Sequence, residues 1–329
     1  MDLNWSRRTA LLRSGAVACL GPALAWPGGA ASAWQDGEWS DRSRARSMPW
    51  RLRTPEGSGP WPLIVYSHGL GGSRAGGDAW AQAWRAAGFA VLSLQHPGSD
   101  IEVLRGGLAR LREAATAAQL LARVADVRFA LDELERRQRE AEPTWKDVDL
   151  GAIGMAGHSF GAQTTQAIAG QRFPVPSDLA DSRPRAFIAL SPSASRVQRP
   201  VQEQFGAIAR PFLAVTGSLD GDPFGSFEGG EPRARIFEGL PPGQRGLLWL
   251  DGADHMTFAG NHERRINGPG PFARSPRAQQ LEVEHHGHVA RISALWWRAT
   301  LLRDALAMAQ LRTAVQDPGL AAPSRLAID

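Results

Sequence analysis

The 329-residue sequence predicts an α/β fold: a mostly parallel central sheet with helices on both faces. Three observations carry that prediction. Short apolar runs alternate with longer amphipathic ones along most of the chain, as strands and crossover helices do. A Gly-x-Ser-x-Gly turn, residues 157–161, stands between one such run and one such helix. Hydrophobic residues make up 43% of the chain and charged residues 21%, which is enough apolar material to cover a sheet and disfavours disorder or a membrane-spanning bundle.

Strands are predicted at residues 63–67, 90–94, 152–156, 186–190, 212–216 and 246–250, several of them flanked by the Gly or Pro that bounds a buried strand. Helices are predicted at residues 78–87, 122–137, 161–171, 233–239 and 289–311, with apolar side chains recurring at three and four. Leu121, Val124, Val127 and Leu131 form one such stripe. Residues 98–120, longer than a plain turn, are expected to form a small lid insertion. Trp296 and Trp297 are expected to pack the last helix onto the sheet. Arg42, Arg44, Arg46, Arg51 and Arg53 read as a solvated face, and the Pro-rich tail from Pro318 as a surface extension. There is no internal repeat, and the length suits one catalytic domain over residues 34–329.

The first 33 residues differ in composition from the rest. Ser6-Arg7-Arg8-Thr9-Ala10-Leu11-Leu12 opens an apolar stretch reaching about Trp26, and Ala31-Ser32-Ala33 ends in an Ala-x-Ala pattern. This resembles a twin-arginine export signal cleaved before Trp34, which implies a periplasmic or secreted enzyme. An amphipathic helix of a cytoplasmic protein is the alternative, and lipidation at Cys19 a weaker one. Cleavage would remove Cys19, the only cysteine, leaving no disulfide, thiol nucleophile or thiolate metal site. The isoelectric point near 10.3 overstates a formal charge of only +4. Lys146 is the only lysine and Tyr66 the only tyrosine, so little titrates between neutrality and arginine, and no nucleic-acid partner is expected.

The candidate chemistry centres on Gly157-His158-Ser159-Phe160-Gly161. A serine at such a turn is exposed on a strained backbone, and the flanking glycines let strand and helix approach closely. Its hydroxyl is a weak nucleophile that needs a base, and the base needs an acid to orient it. Downstream, the run at 212–216 ends in Gly217-Ser218-Leu219-Asp220-Gly221-Asp222, and the run at 246–250 ends in Asp251-Gly252-Ala253-Asp254-His255. These place a carboxylate and then a histidine on loops after successive strands. Asp220 is favoured as the acid, with Asp222 competing, and His255 is the base. The negative oxygen of a tetrahedral intermediate needs two backbone N–H donors. Phe160 supplies one, and Leu70, in His68-Gly69-Leu70-Gly71-Gly72, is expected to supply the other. A phosphate-binding loop would be equally glycine-rich but needs a lysine that is absent. His68 and His158 read as supports. His285, His286 and His288 lack zinc-type spacing and read as a solvated helix start, so neither metal nor cofactor is expected.

Ser67-His68-Gly69-Leu70-Gly71-Gly72-Ser73-Arg74 and Gly157-His158-Ser159-Phe160-Gly161-Ala162, supported by Gly252-Ala253-Asp254-His255, resemble the α/β-hydrolases related to platelet-activating-factor acetylhydrolases and predicted dienelactone hydrolases. The resemblance implies the α/β-hydrolase fold and a metal-free, lipase-like or esterase-like site with oxyanion donors at Leu70 and Phe160. The acetylhydrolases carry their acid after an earlier strand. Here the matching run at 186–190 is followed by Ser191-Pro192-Ser193, which moves the acid to Asp220. True dienelactone hydrolases use a cysteine where this chain has Ser159. The function expected is hydrolysis of a small-molecule or lipid carboxylic ester through an acyl-enzyme. An acyltransferase, an amidase or peptidase with the same residues, and a noncatalytic binding protein are the alternatives.

Overall fold

Apolar runs without charged interruptions become the interior of a sheet because only there can both faces of a strand leave water. In the computed structural model, which describes residues 34–174, 178–194, 199–261, 272–316, 320 and 322–329, each of the six predicted runs is such a strand. The described residues belong to one compact unit, Ala33–Asp329. The proposed export segment, including Cys19, lies outside them.

The strands are β1 (Trp34–Asp41), β2 (Arg46–Arg53), β3 (Trp61–Ser67), β4 (Ala90–Leu94), β5 (Val148–His158), β6 (Pro184–Leu190), β7 (Phe212–Leu219), β8 (Arg245–Asp254) and β9 (Arg325–Ile328). The helices are α1 (Asp78–Ala86), α2 (Gly107–Ala114), α3 (Ala117–Arg139), α4 (Phe160–Ala169), α5 (Val201–Phe205), α6 (Glu231–Ala234), α7 (Ile236–Gly239), α8 (Pro276–Gln280), α9 (Glu282–Leu301) and α10 (Ala305–Ala314). One sheet runs in the order β1-β2-β4-β3-β5-β6-β7-β8-β9. The strands from β4 across to β8 are parallel, whereas β1, β2 and β9 pair antiparallel at the edges.

Alternation along β3 sorts the core into two layers. Leu63 and Val65 face one cluster with Val124, Val127 and Leu131 of α3 and Ala162 of α4. Ile64 and Tyr66 face the other, with Trp80 and Trp84 of α1 and Trp296 and Trp297 of α9. Helices therefore cover both faces of the sheet.

The differences from expectation lie at the edges and in the arginines. The β1–β2 hairpin was not predicted, because its residues alternate between exposed and buried and carry charge. Its inward side chains Trp39 and Trp50 pack on Trp145, with ring centroids 5.2–5.4 Å apart. The arginines there are not all solvated. Arg53 is 1% exposed and pairs with Asp78, while Arg44 and Arg46 reach the buried Asp126 at 2.8 and 2.7 Å. The tail does not simply extend over the surface, since residues 325–328 add β9 to the sheet edge; Pro318 itself lies outside the described residues. The last helix is two helices. Arg303 takes φ 53°, and the Asp304 side chain accepts from the N–H groups of Leu306 and Ala307, capping a fresh start. The run at 233–239 is two single turns, α6 and α7.

Candidate active site

The connection from β3 runs to β4 on one side, and the next crosses back to β5 on the other, so the order reverses beside β3. The carboxyl ends of strands at such a switch point form a natural crevice. The loop after β3 carries Leu70, and the turn after β5 carries Ser159.

Close packing explains the two glycines of that turn. A Cβ on Gly161 would lie 1.9 Å from the Ser67 carbonyl oxygen, and one on Gly157 would lie 2.3 Å from the Gly161 oxygen. Between them Ser159 adopts φ 55° and ψ −113°, a conformation few non-glycine residues hold, and its N–H donates to the Leu190 oxygen at 2.9 Å.

The Ser159 hydroxyl is 2.9 Å from His255 Nε2, and His255 Nδ1 is 2.8 Å from Asp220 Oδ1. With the ring proton on Nδ1, the serine donates to Nε2 and the ring donates to the carboxylate. Asp220 is fully buried, and Thr216 Oγ1 donates to its other oxygen at 2.8 Å. Asp222 is turned elsewhere and accepts from the Ser226 N–H. Of the two candidate acids, the structure brings Asp220 to His255.

Sequence reasoning missed Arg233. Its guanidinium is 2% exposed, lies 3.0 Å from Asp220 Oδ1, and donates to the carbonyls of Ser191, Pro192, Asp220 and Gly221. Burial by itself would raise the Asp220 carboxyl. The charge of Arg233, with the His255 hydrogen bond, outweighs it and holds the group below the usual carboxylate range. No local pattern marks this arginine, which arrives from a single helical turn after β7. The loop after β8 is fastened separately, since Asp254 accepts from Thr257, Arg274 and the Ser275 N–H.

A second Ser-His-Asp arrangement stands behind the β3 loop. Ser67 Oγ is 2.9 Å from His96 Nε2, and His96 Nδ1 is 3.0 Å from Asp126. All three side chains have 0% exposure, so this set braces the fold. Beside it, Arg123 donates to the His68 oxygen at 2.7 Å and to Ser99 Oγ at 2.8 Å, with its guanidinium carbon 4.5 Å from the centre of the Phe160 ring. The loop bearing Leu70 is thus tied to α3 through one buried cation. Desolvation lowers Arg123 to about 9, which keeps it charged at neutral pH.

His68, His96 and His158 are buried and held neutral. Burial and then the Arg123 charge push His68 well down and His96 to about 4; burial and then the nearby His255 ring push His158 to about 3. Because the folded values lie below the ordinary 6.5, the unfolded chain binds more protons below that pH. Their contribution to stability is fully present above about pH 6.5 and is lost as pH falls towards 4, at up to about 1.4 kcal/mol per pH unit for each histidine. Urea midpoints measured at intervals from pH 7.5 to 4.5 are expected to fall steadily below 6.5; a flat profile would contradict the neutral burial.

Leu70 and Phe160 flank Ser159. The N–H of Phe160 opens α4 and has no intrahelical acceptor, as at every helix start. In the β3 loop the neighbouring amides are engaged, Gly71 with the Ser99 oxygen and Gly72 with the Gly69 oxygen. Two hollows meet at the serine. A narrow recess of about 70 Å³ is bounded by His255, Met256, Tyr66 and Leu104. A wider cleft of about 390 Å³ is bounded by Phe160, Phe173, Leu179 and Phe227. Residues 98–120 supply part of each rim. Val103, Leu111 and Ala114 in this segment pack against Leu70, Phe224 and Phe272.

Two further histidines of the described residues are structural. His285 and His286 are 2% and 6% exposed, not solvated, and reach the carbonyls of Asp251 and Thr257 at 3.0 Å. Among the described residues no group of three or more His, Cys, Asp or Glu is placed to hold a metal ion.

A parallel sheet in this order, with antiparallel edges, helices on both faces and a sharp strand-to-helix turn after β5, is the α/β-hydrolase fold. A solved structure described as a ferulic acid esterase from Streptomyces cinnamoneus is similar, with a TM-score of 0.56 and 20% sequence identity over 82% of this chain and 89% of that one. No family model and no curated protein matches the sequence. Among the described residues no helix is long and apolar enough to cross a membrane.

Proposed function

We propose that this chain is an exported serine esterase that cleaves carboxylic esters through an acyl-enzyme on Ser159. The observation that carries the proposal is the continuous chain from Ser159 Oγ through His255 to the buried Asp220, at 2.9 and 2.8 Å, opening onto two hollows that meet at the serine. The ferulic acid esterase that shares the fold agrees with the reaction class.

In the proposed mechanism Ser159 Oγ attacks the ester carbonyl carbon while its proton passes to His255 Nε2. The N–H groups of Leu70 and Phe160 receive the developing oxyanion. Collapse breaks the carbon–oxygen bond to the alcohol, which takes the proton from Nε2. Water then attacks the acyl-enzyme, again losing its proton to His255, and Ser159 recovers its own as the acid departs. Asp220 holds the imidazole in its tautomer and stabilises the transient imidazolium. Residues 98–120 act as the shared rim of the two hollows.

A fluorophosphonate probe tests this directly. The purified protein is expected to be labelled at Ser159, as found by peptide mass analysis, with loss of hydrolysis of p-nitrophenyl esters in proportion to labelling. A folded protein that takes no label would refute the nucleophile and favour a noncatalytic binding role.

A further inference from the structure

With Ser159 as the nucleophile, the unequal hollows define the shape of the substrate. We propose that the wide cleft holds the acyl group and the narrow recess the alcohol, so that the chain acts on esters of a bulky, uncharged, apolar acid with a short alcohol. The assignment follows from the proton. The leaving oxygen must lie within hydrogen-bond reach of His255 Nε2 to be protonated as it departs. His255 lines the narrow recess and is not among the residues that line the wide cleft. The alcohol therefore leaves on the narrow side, which offers about 70 Å³ against about 390 Å³ in the cleft. The wide cleft shares Ser159 and Leu70 with the recess and adds Phe160, but lacks His255, so it is the side left to the acyl group.

The lining of the cleft sets the chemistry of the acid. Leu120, Phe173, Leu179, Phe224 and Phe227 form apolar walls. Arg233 borders the cleft but does not offer a free cation. Its N–H groups are directed to Asp220, to the carbonyls of Ser191, Pro192 and Gly221, and to Ser193 Oγ. A volume of about 390 Å³ falls in the range of sites that enclose a drug-sized group. Among the described residues Arg233 is the only cation on the lining, so a medium-chain or aromatic acyl group suits the cleft better than a charged one.

Ethyl octanoate and octyl acetate are isomers that differ only in which side of the ester is long, so their comparison isolates the assignment. Ethyl octanoate is expected to have a kcat/KM at least about tenfold higher. In Gln163→Trp, which places an indole in the wide cleft, the ratio is expected to fall towards one, with fluorophosphonate labelling serving to count folded sites. An equal or reversed preference in a protein that is labelled at Ser159 would overturn the acyl assignment while leaving the esterase intact. Turnover of neither ester by labelled protein would overturn it as well, and absence of both labelling and turnover would remove the esterase beneath it.

Discussion

Replacing Ser159 with alanine is expected to lower ester turnover by about 10⁴-fold or more, with the urea midpoint close to that of the parent protein. The substitution deletes one oxygen, which makes a single hydrogen bond to His255, and leaves the turn to be held by backbone contacts. His255→Ala should be about as damaging, because nucleophile and base act as a unit. The double variant should therefore be little worse than either single one. Steady-state rates with p-nitrophenyl esters, beside far-ultraviolet circular dichroism of each variant, make the check. Near-parental turnover in folded Ser159→Ala would defeat the proposed mechanism.

Arg233→Met is expected to lose both stability and activity. A buried carboxylate would remain without its cation, and four carbonyls would lose a donor, at a cost of about 3–5 kcal/mol to folding. The activity loss should be about 100-fold, the scale associated with a misplaced catalytic group. A pH profile separates electrostatic support from simple packing. With Arg233 gone, burial pushes the Asp220 carboxyl upward, so the acid limb of kcat moves to higher pH. Arg233→Lys restores the charge but not the fork of donors, and should recover the acid limb more fully than the stability. An acid limb that stays in place in Arg233→Met would make the arginine a packing residue only.

The site was legible where local sequence dictates local geometry. Gly157 and Gly161 flank Ser159 because a side chain at either would collide with backbone oxygen, a constraint written within five residues. His255 could be placed because it closely follows a long apolar run. The choice between Asp220 and Asp222 was not legible to the same degree. The two stand two residues apart on one loop, and what separates them is contact with Thr216, Arg233 and His255.

The buried network around Arg123, His96 and Asp126 had no local signature either. Its members come from β3, the loop after β4 and α3, and arginine and aspartate are ordinarily surface residues in sequence. The burial of Arg53, His285 and His286 escaped for the same reason. Sequence by itself determined the parallel core, the strand-turn-helix unit and the loops that carry Ser159, Asp220 and His255, because each depends on periodicity or on steric limits between near neighbours. Only the tertiary structure decided the edge strands β1, β2 and β9, the choice of Asp220 over Asp222 beside His255, the cation that holds its carboxylate ionised, and the unequal hollows around Ser159. Those depend on which distant segments come to share a low-dielectric interior, where the Coulomb energy and hydrogen bonding of a charged group are set by its neighbours in space.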